Sequence, residues 1–182
     1  SAAVSLFGAV PTRAVLVTFA NPSTVLLVRR SPAFRRDLQG FDFVLPDGIG
    51  MCLAMKWLHR LLPRRVSFDT TSLAPQIFSR ACEQDLSIVL VGSAPGIADI
   101  AADRIAGHFP GIRIVGAFDG YGDVEAKAAK VFELKPDIVV CGMGGGKQEA
   151  FLLTLRERGW RGWGFTCGGY LDQLQAGLRY YP

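Results

Sequence analysis

Short apolar runs alternate with longer amphipathic stretches along the whole chain. Val15, Leu16, Val17 and Phe19 fall in residues 13–20, which predicts a buried strand. Asn21-Pro22 follows as N-cap and first helical residue, and the helix is expected to reach about Leu38. Residues 42–45 predict a second short strand. Pro46-Asp47-Gly48-Ile49-Gly50 then turns into a helix running to about Leu62. Met51, Leu53, Met55, Trp57, Leu58 and Leu61 make that helix apolar around most of its circumference, so it should be buried or packed on a partner. A polar turn from Arg64 to Ser72 leads into a helix ending near Gln84. Further strands are predicted at residues 86–91, 112–115, 138–141 and 163–166. Helices are predicted after them, to His108, over 124–134, to about Arg158, and from Leu171 onward. Regular alternation of this kind predicts the α/β class: a Rossmann-like, mostly parallel sheet with helices on both faces, in a single compact domain spanning 1–182.

Glycine and polar residues gather after the strands rather than before them. In an open parallel sheet the carboxyl edge of the strands binds ligands, so the pattern points to one ligand edge. The densest such stretch is Asp137 to Glu149. There the run from Ile138 to Cys141 is followed by Gly142, Gly144, Gly145 and Gly146, and then by Lys147-Gln148-Glu149 at a helix start. Glycine allows close backbone approach, and the first helical N–H groups point at whatever sits beyond them. The stretch is therefore either a diphosphate-binding turn, with Lys147 adding positive charge, or a tight strand-to-helix turn with a solvated lysine. A P-loop does not fit, because Cys141 stands where the first glycine belongs and Gln148 where the hydroxyl belongs. A dinucleotide fingerprint does not fit either, because the first strand-to-helix turn, Thr18-Phe19-Ala20-Asn21-Pro22, has no glycine. Taken alone Asn21 reads as a plain cap, and Asp47 as a cap or a reacting carboxylate.

Composition narrows the picture only in places. With 182 residues, 49% of them hydrophobic, the chain can bury a sizeable core. The net charge of +4 is too mild for nucleic acid but suits an anionic ligand or an anionic membrane surface. Arg29, Arg30, Arg35 and Arg36 cluster, as do Arg60, Arg64 and Arg65; either group also reads as a solvated helix face. Cys52, Cys82, Cys141 and Cys167 form no C-x-x-C pair. Together with the isolated His59 and His108 they predict reduced thiols and no metal site. No apolar run reaches about 18 residues, so no transmembrane helix is expected. No signal peptide is visible either.

Taken in order, the turns resemble those of the WecG/TagA/CpsF family of glycosyltransferases, over about residues 15–177. Pro46-Asp47-Gly48-Ile49-Gly50 resembles the family's Ala-Asp-Gly-x-Gly. Val91-Gly92-Ser93-Ala94-Pro95-Gly96 is similar to its Val-Gly-x-x-x-Gly, and Asp119-Gly120-Tyr121 to its Asp-Gly-Tyr. Gly142 to Glu149 resembles its Gly-Met-Gly-x-Pro-Lys-Gln-Glu, with Gly146 in place of proline. Two pieces depart from the pattern. Asp69 follows Arg65 at a different spacing from the family's Arg-x-x-Gly-x-Asp-Leu, and Cys167-Gly168-Gly169-Tyr170-Leu171-Asp172 replaces Gly-x-x-Phe-Asp. These departures are similar to the xanthan-type β-1,4-glucosyltransferase (GumM-like) branch.

The resemblance implies an inverting transfer from a UDP-sugar, glucose in that branch, to a polyprenyl-diphosphate-linked saccharide. It implies Asp47 as the base. Thr18 and Asn21 would line the donor or acceptor pocket, and Gln148 would hold phosphate or sugar. By the same matches Gly48, Asp69, Gly92, Phe118, Asp119, Gly120, Tyr121, Gly142, Met143, Gly144, Lys147 and Asp172 are candidate substrate- or UDP-binding residues. Phe118 and Tyr121 could stack on uracil or sugar, or serve as core aromatics. No Asp-x-Asp motif is present, and no cofactor or metal is expected. The implied partners are the UDP-sugar, the lipid-linked acceptor and the inner face of the cytoplasmic membrane; nucleic acid is not among them, and an oligomer is possible. Family members continue past Ala176-Gly177 with a basic, apolar, membrane-touching tail, so the chain is expected to be truncated before that tail. Three other readings are a family member using UDP-N-acetylmannosamine or its uronic acid, a nucleotide-binding domain without chemistry, and an interaction module built on the apolar helix after Asp47.

Overall fold

The computed structural model describes residues 11–61 and 63–176, so the expectation about a tail beyond Gly177 lies outside the described residues. Among these residues six strands alternate with eight helices. The first half comprises β1 (Val15–Ala20), α1 (Pro22–Arg30), α2 (Pro32–Gln39), β2 (Phe43–Pro46), α3 (Ile49–His59) and α4 (Leu73–Glu83). The second comprises β3 (Ser87–Gly92), α5 (Ile97–His108), β4 (Arg113–Phe118), α6 (Val124–Leu134), β5 (Ile138–Gly142), α7 (Lys147–Glu157), β6 (Trp163–Thr166) and α8 (Tyr170–Ala176). The strands form one sheet in the order β2-β1-β6-β5-β3-β4. Every pairing is parallel, as the alternation of elements predicts.

Strand periodicity sends successive side chains to opposite faces. Ile88, Leu90, Ile138, Val140 and Phe165 join a core with α4, α5 and α8. Leu16, Val89, Val91, Val139 and Cys141 join a second core with α6 and α7. All residues of β3 and β5 are buried, which explains their unbroken apolar sequence. Each such side chain contributes about 1.5–3 kcal/mol by leaving water. At the amino edge, Asp137 Oδ2 accepts from Ser87 N–H at 2.8 Å and from Ser87 Oγ at 2.6 Å, which pins the starts of β3 and β5 together. At the carboxyl edge the same two strands touch so closely that a Cβ on Gly92 would lie 2.3 Å from the Gly142 carbonyl oxygen. Only glycine fits there.

Three elements differ from expectation. The predicted helix to Leu38 is two helices, broken at Ser31-Pro32. Pro32 has no N–H to continue the first, and Ser31 Oγ caps the second by accepting from Phe34 N–H at 3.1 Å. β4 runs past the predicted end at residue 115, through Gly116-Ala117 to Phe118. α3 stops at His59, closed by Arg60 in the left-handed conformation, and of its residues only Cys52 is buried. Its apolar surface does not join either core; Ile49, Leu53, Trp57 and Leu58 are exposed.

Candidate active site

The helices leaving β3 and β6, α5 and α8, pack on one face of the sheet, whereas α7, leaving β5, packs on the other. α1, leaving β1, lies on the α7 side: Leu27 sits beside Gly145 and Gly146, and α2 packs on α7. Loops that part toward opposite faces open a crevice between the strand ends. Two cavities lie at these divergences. The first, of about 350 Å³, lies at the ends of β1 and β6, with Asn21, Asp47, Arg65, Asp69 and Gln148 in its lining. The second, of about 330 Å³, lies at the ends of β3 and β5, with Ser93, Tyr121, Met143, Gly144, Lys147 and Asp172 in its lining. Gly168 and Gly169 border both and form the wall between them.

The first cavity holds two carboxylates with opposite environments. Asp69 is buried and accepts from Thr71 N–H and Thr71 Oγ1, each at 2.8 Å, and from Ser67 Oγ. Arg65 Nη2 reaches the same carboxylate at 2.7 Å. Burial pushes the Asp69 carboxyl up, but the bonds from Ser67 and Thr71 and the Arg65 charge outweigh it, and the net shift is downward. Asp47, at the end of β2, lies 3.9 Å from Arg65 Nε. Burial raises its carboxyl above the ordinary value; Arg65 opposes this and the nearby Asp69 charge adds to it. Asp69 thus stays ionised and holds Arg65, while Asp47 is left the better proton acceptor.

The lowered Asp69 carboxyl has a consequence for stability. Its contribution is fully present above the unfolded value of about 3.8 and is lost as pH falls through the lower folded value. Asp69→Asn should therefore cost about 1–3 kcal/mol at neutral pH. In urea unfolding, the gap between the two proteins should narrow as pH drops toward about 3. A gap independent of pH would contradict this assignment.

Beneath the first cavity runs a buried polar chain. Thr166 Oγ1 donates to Thr18 Oγ1 at 2.9 Å, and Thr18 Oγ1 donates to Glu149 Oε1 at 3.0 Å. Gln148 Nε2 also donates to Glu149 Oε1, at 3.0 Å, and Gly146 N–H donates to Glu149 Oε2 at 2.6 Å. Gln148 Oε1 in turn accepts from Gly168 N–H at 3.3 Å. Glu149 therefore ties β1, β6 and the start of α7 together and fixes which way the Gln148 amide faces. It also takes a backbone donor at the helix start, where a carboxylate suits the helix dipole. The expectation that this terminus is open to a ligand anion is corrected to that extent. What faces the second cavity is Lys147 with the Gly142–Gly144 backbone.

Gly146 has φ 89°, a conformation closed to proline, so replacing the family-pattern proline changes the path of this turn. Gly48, Gly120, Gly142 and the other candidates divide between lining and support. Gly120 and Gly142 line the second cavity, whereas Gly48 forms the cap of α3 beside Asp47. Asp172 accepts from Ser93 Oγ at 3.0 Å across the second crevice. Besides Gly48, four candidates line neither cavity. Thr18 is buried beneath the first, Gly92 serves the close strand approach, and Phe118 packs against the α6–α7 core. Asp119 accepts from Tyr121 N–H at 2.8 Å and pairs with Lys127 at 3.2 Å, which shapes the turn that presents Tyr121. The sequence reading passed over Arg65, Ser67, Glu149 and Thr166. Glu149 stood within the glycine-rich stretch, and Arg65 within the departing motif, but Thr166 carries no local signal.

The cysteines are free thiols. Burial pushes Cys141 well above its ordinary value and raises Cys167 as well, so neither is a poised nucleophile. Among the described residues no group of three or more His, Cys, Asp or Glu side chains comes together as a metal site would need. Among the same residues no helix is long and apolar enough to cross a membrane.

Fold and crevices together define an open parallel α/β domain with two crevices along the carboxyl edge of its sheet. Residues 3–179 match the Glycosyl transferase WecG/TagA/CpsF family, and the chain belongs to it. It is 27% identical over 169 residues to UDP-Gal:alpha-D-GlcNAc-diphosphoundecaprenol beta-1,4-galactosyltransferase of Shigella boydii, covering 91% of this chain and 70% of that protein. It is 27% identical over 172 residues to N-acetylglucosaminyldiphosphoundecaprenol N-acetyl-beta-D-mannosaminyltransferase of Bacillus spizizenii, covering 93% and 66%. The chain thus spans about two thirds of the length of these curated relatives. Among solved structures, an extracellular ligand-binding receptor from Rhodopseudomonas palustris aligns at a TM-score of 0.44 and 15% identity, covering 85% of this chain and 60% of that one.

Proposed function

We propose that the chain transfers a sugar from a UDP-sugar to a saccharide linked to polyprenyl diphosphate, with inversion at the anomeric carbon. The observation that carries this reading is the pair of crevices sharing the Gly168-Gly169 wall, one holding a raised carboxyl and the other a lysine beside a glycine-rich turn. Inversion needs a base on one side of the anomeric carbon and a stabilised leaving group on the other. In the proposed step, Asp47 takes the proton of the acceptor hydroxyl as its oxygen bonds to the anomeric carbon. The bond to UDP breaks in the same event. The departing diphosphate rests against Lys147 and the Gly142–Gly144 backbone, whose charge and dipoles are already oriented toward it. Gln148, its amide oriented by Glu149, would hold the sugar or a phosphate oxygen.

The names of both relatives give an N-acetylglucosamine carried on diphosphoundecaprenol, and this supports a lipid-linked acceptor here. The donor we propose is UDP-glucose, as the resemblance to the xanthan-type branch implies. The galactosyl relative supports a UDP-hexose more broadly, since glucose and galactose differ only at C4. The mannosaminyl relative makes UDP-N-acetylmannosamine the competing donor. The test is transfer from each labelled UDP-sugar to glucosyl- and N-acetylglucosaminyl-diphospholipid, with and without EDTA. Glucose transfer with inverted configuration and no EDTA effect is the expected result. Preference for UDP-N-acetylmannosamine would replace the donor. Binding of UDP with no turnover of any donor would favour a nucleotide-binding domain without chemistry.

Lys147 is exposed, so solvent screens part of its charge. Lys147→Ala is expected to weaken UDP binding about tenfold without lowering the unfolding temperature of the free protein. An unchanged UDP affinity in calorimetric titration would remove the diphosphate from this crevice.

A further inference from the structure

α1 and α3 spring from adjacent strand ends. Ala20 and Pro46 are register partners, and each helix begins within three residues of them. α1 borders the first cavity through Ser23, Thr24 and Leu27, and Asp47, also in its lining, stands two residues before α3. Neither joins a core: α1 has no buried residue, and α3 has only Cys52. On α3, Ile49, Leu53 and Trp57 recur every four residues and form one exposed stripe, with exposed Leu58 and Leu61 beside it. On α1, Val25 and Leu26 are exposed.

Within the two segments that carry these apolar residues the charges have one sign, although Asp37, Asp47 and Asp69 flank them and Arg65 pairs with the last two. From Pro22 to Arg36 the sequence has four arginines and no acid. From Gly48 to Phe68 it has Lys56, Arg60, Arg64 and Arg65 and again no acid, although the whole chain carries 16 Asp and Glu. An exposed apolar stripe set among cations alone suits a surface that is apolar below and anionic at its rim. A second copy of this chain suits it poorly, because a two-fold contact would set these cations against their own symmetry mates with no acid between them. We infer that α1 and α3 form a docking face for an anionic phospholipid bilayer, with Trp57 and its aliphatic neighbours entering the headgroup region and Lys56, Arg60 and Arg64 on the lipid phosphates. The mouth of the Asp47 crevice then opens at the bilayer surface. This placement rests in part on the proposed use of a lipid-linked acceptor, but the residues that dock are separate from those that bind UDP.

Trp57 reports on this face directly. It is 88% exposed, whereas Trp160 and Trp163 are 3% and 7% exposed, so a change in tryptophan environment on docking belongs to Trp57. The full chain is mixed with vesicles of phosphatidylcholine alone or with added phosphatidylglycerol. Binding, Trp57 emission and acrylamide quenching are then measured as salt is raised. The expected result is binding to the anionic vesicles only, a blue shift with protection from acrylamide, and release at high salt. Trp57→Ser with Leu58→Ser, and separately Arg60→Glu with Arg64→Glu, should each weaken binding about tenfold or more. Both pairs are exposed and should fold normally, and their UDP-induced thermal shift should match that of the unaltered chain. Equal binding to neutral vesicles, unaltered binding by both variants, or no vesicle binding would overturn the inference. So would a Trp57 change that follows protein concentration without lipid, which would make a second copy the occupant. Vesicle binding without any UDP response would instead sink the proposed function and leave the docking face standing.

Discussion

Asp47→Asn is expected to lower the transfer rate by about 10²–10⁴-fold, the range typical of a lost general base, while UDP affinity stays within about twofold of the unaltered chain. The argument rests on environment rather than on the residue type alone. Asp47 and Asp69 share one cavity and one arginine, yet burial raises the first carboxyl and hydrogen bonds lower the second. Only the first is tuned toward proton transfer. Transfer needs the ionised form, so the rate should fall as pH drops through the raised Asp47 value. The acid limb of the kcat/KM profile should therefore lie above the ordinary aspartate range. Stability should move the other way. Because the fold favours protonated Asp47, ionisation at neutral pH weakens the folded state; this cost is absent below the unfolded value and is complete above the raised folded value. Asn removes the cost, so the inactive variant should unfold at the same temperature as the unaltered chain or higher. A pH profile with its limb at or below the ordinary value, or an Asn variant with near-normal turnover, would remove Asp47 from the role of base.

Glu149→Ala carries the second large effect, in this case on the fold. Glu149 is 3% exposed and accepts from Thr18, Gln148 and Gly146 at once. Alanine leaves all three donors without their acceptor in a water-poor site, at an expected cost of about 3–5 kcal/mol. Glu149→Gln is not a neutral replacement. It keeps one acceptor oxygen, but its amide nitrogen must face either the Gly146 N–H or the Thr18 and Gln148 donors. It should recover only part of the loss and still misdirect the Gln148 side chain. Urea unfolding measures both variants. A loss below about 1 kcal/mol for alanine would show that water replaces the carboxylate freely, and the network would then not be what orders the wall between the crevices.

These two carboxylates also show what was readable before the structure. The positions and burial of the strands, though not their order in the sheet, followed from period and run length, because parallel strands covered on both faces must be apolar throughout. β3 and β5 are of that kind. The carboxyl edge stood out in the sequence because glycines and polar residues cluster after strands, and both cavities open at that edge. The division of the edge into two crevices was not. It depends on which face each helix takes, and α5 and α7 differ in this without any difference in their local pattern. Glu149 lay in view beside Lys147, but its partner Thr18 is 131 positions away, and Thr166, which donates to Thr18, is 148 positions from Thr18, separations no window spans. The helix break at Ser31-Pro32 was a local signal read too weakly. α3 is the opposite case: its pattern was read correctly as apolar all round, but composition could not tell a buried helix from one left uncovered.

The central claim is that UDP occupies the crevice between β3 and β5, and a thermal unfolding scan with UDP, UDP-glucose, UDP-N-acetylmannosamine and NAD, with and without EDTA, tests it most directly. A ligand at about 100 times its Kd adds about 2.7 kcal/mol to stability. The account predicts that UDP and a UDP-sugar raise the unfolding temperature, that EDTA leaves the shift in place, that NAD gives none, and that Lys147→Ala reduces the UDP shift. Stabilisation by NAD instead, or no response to any uridine ligand, would contradict it.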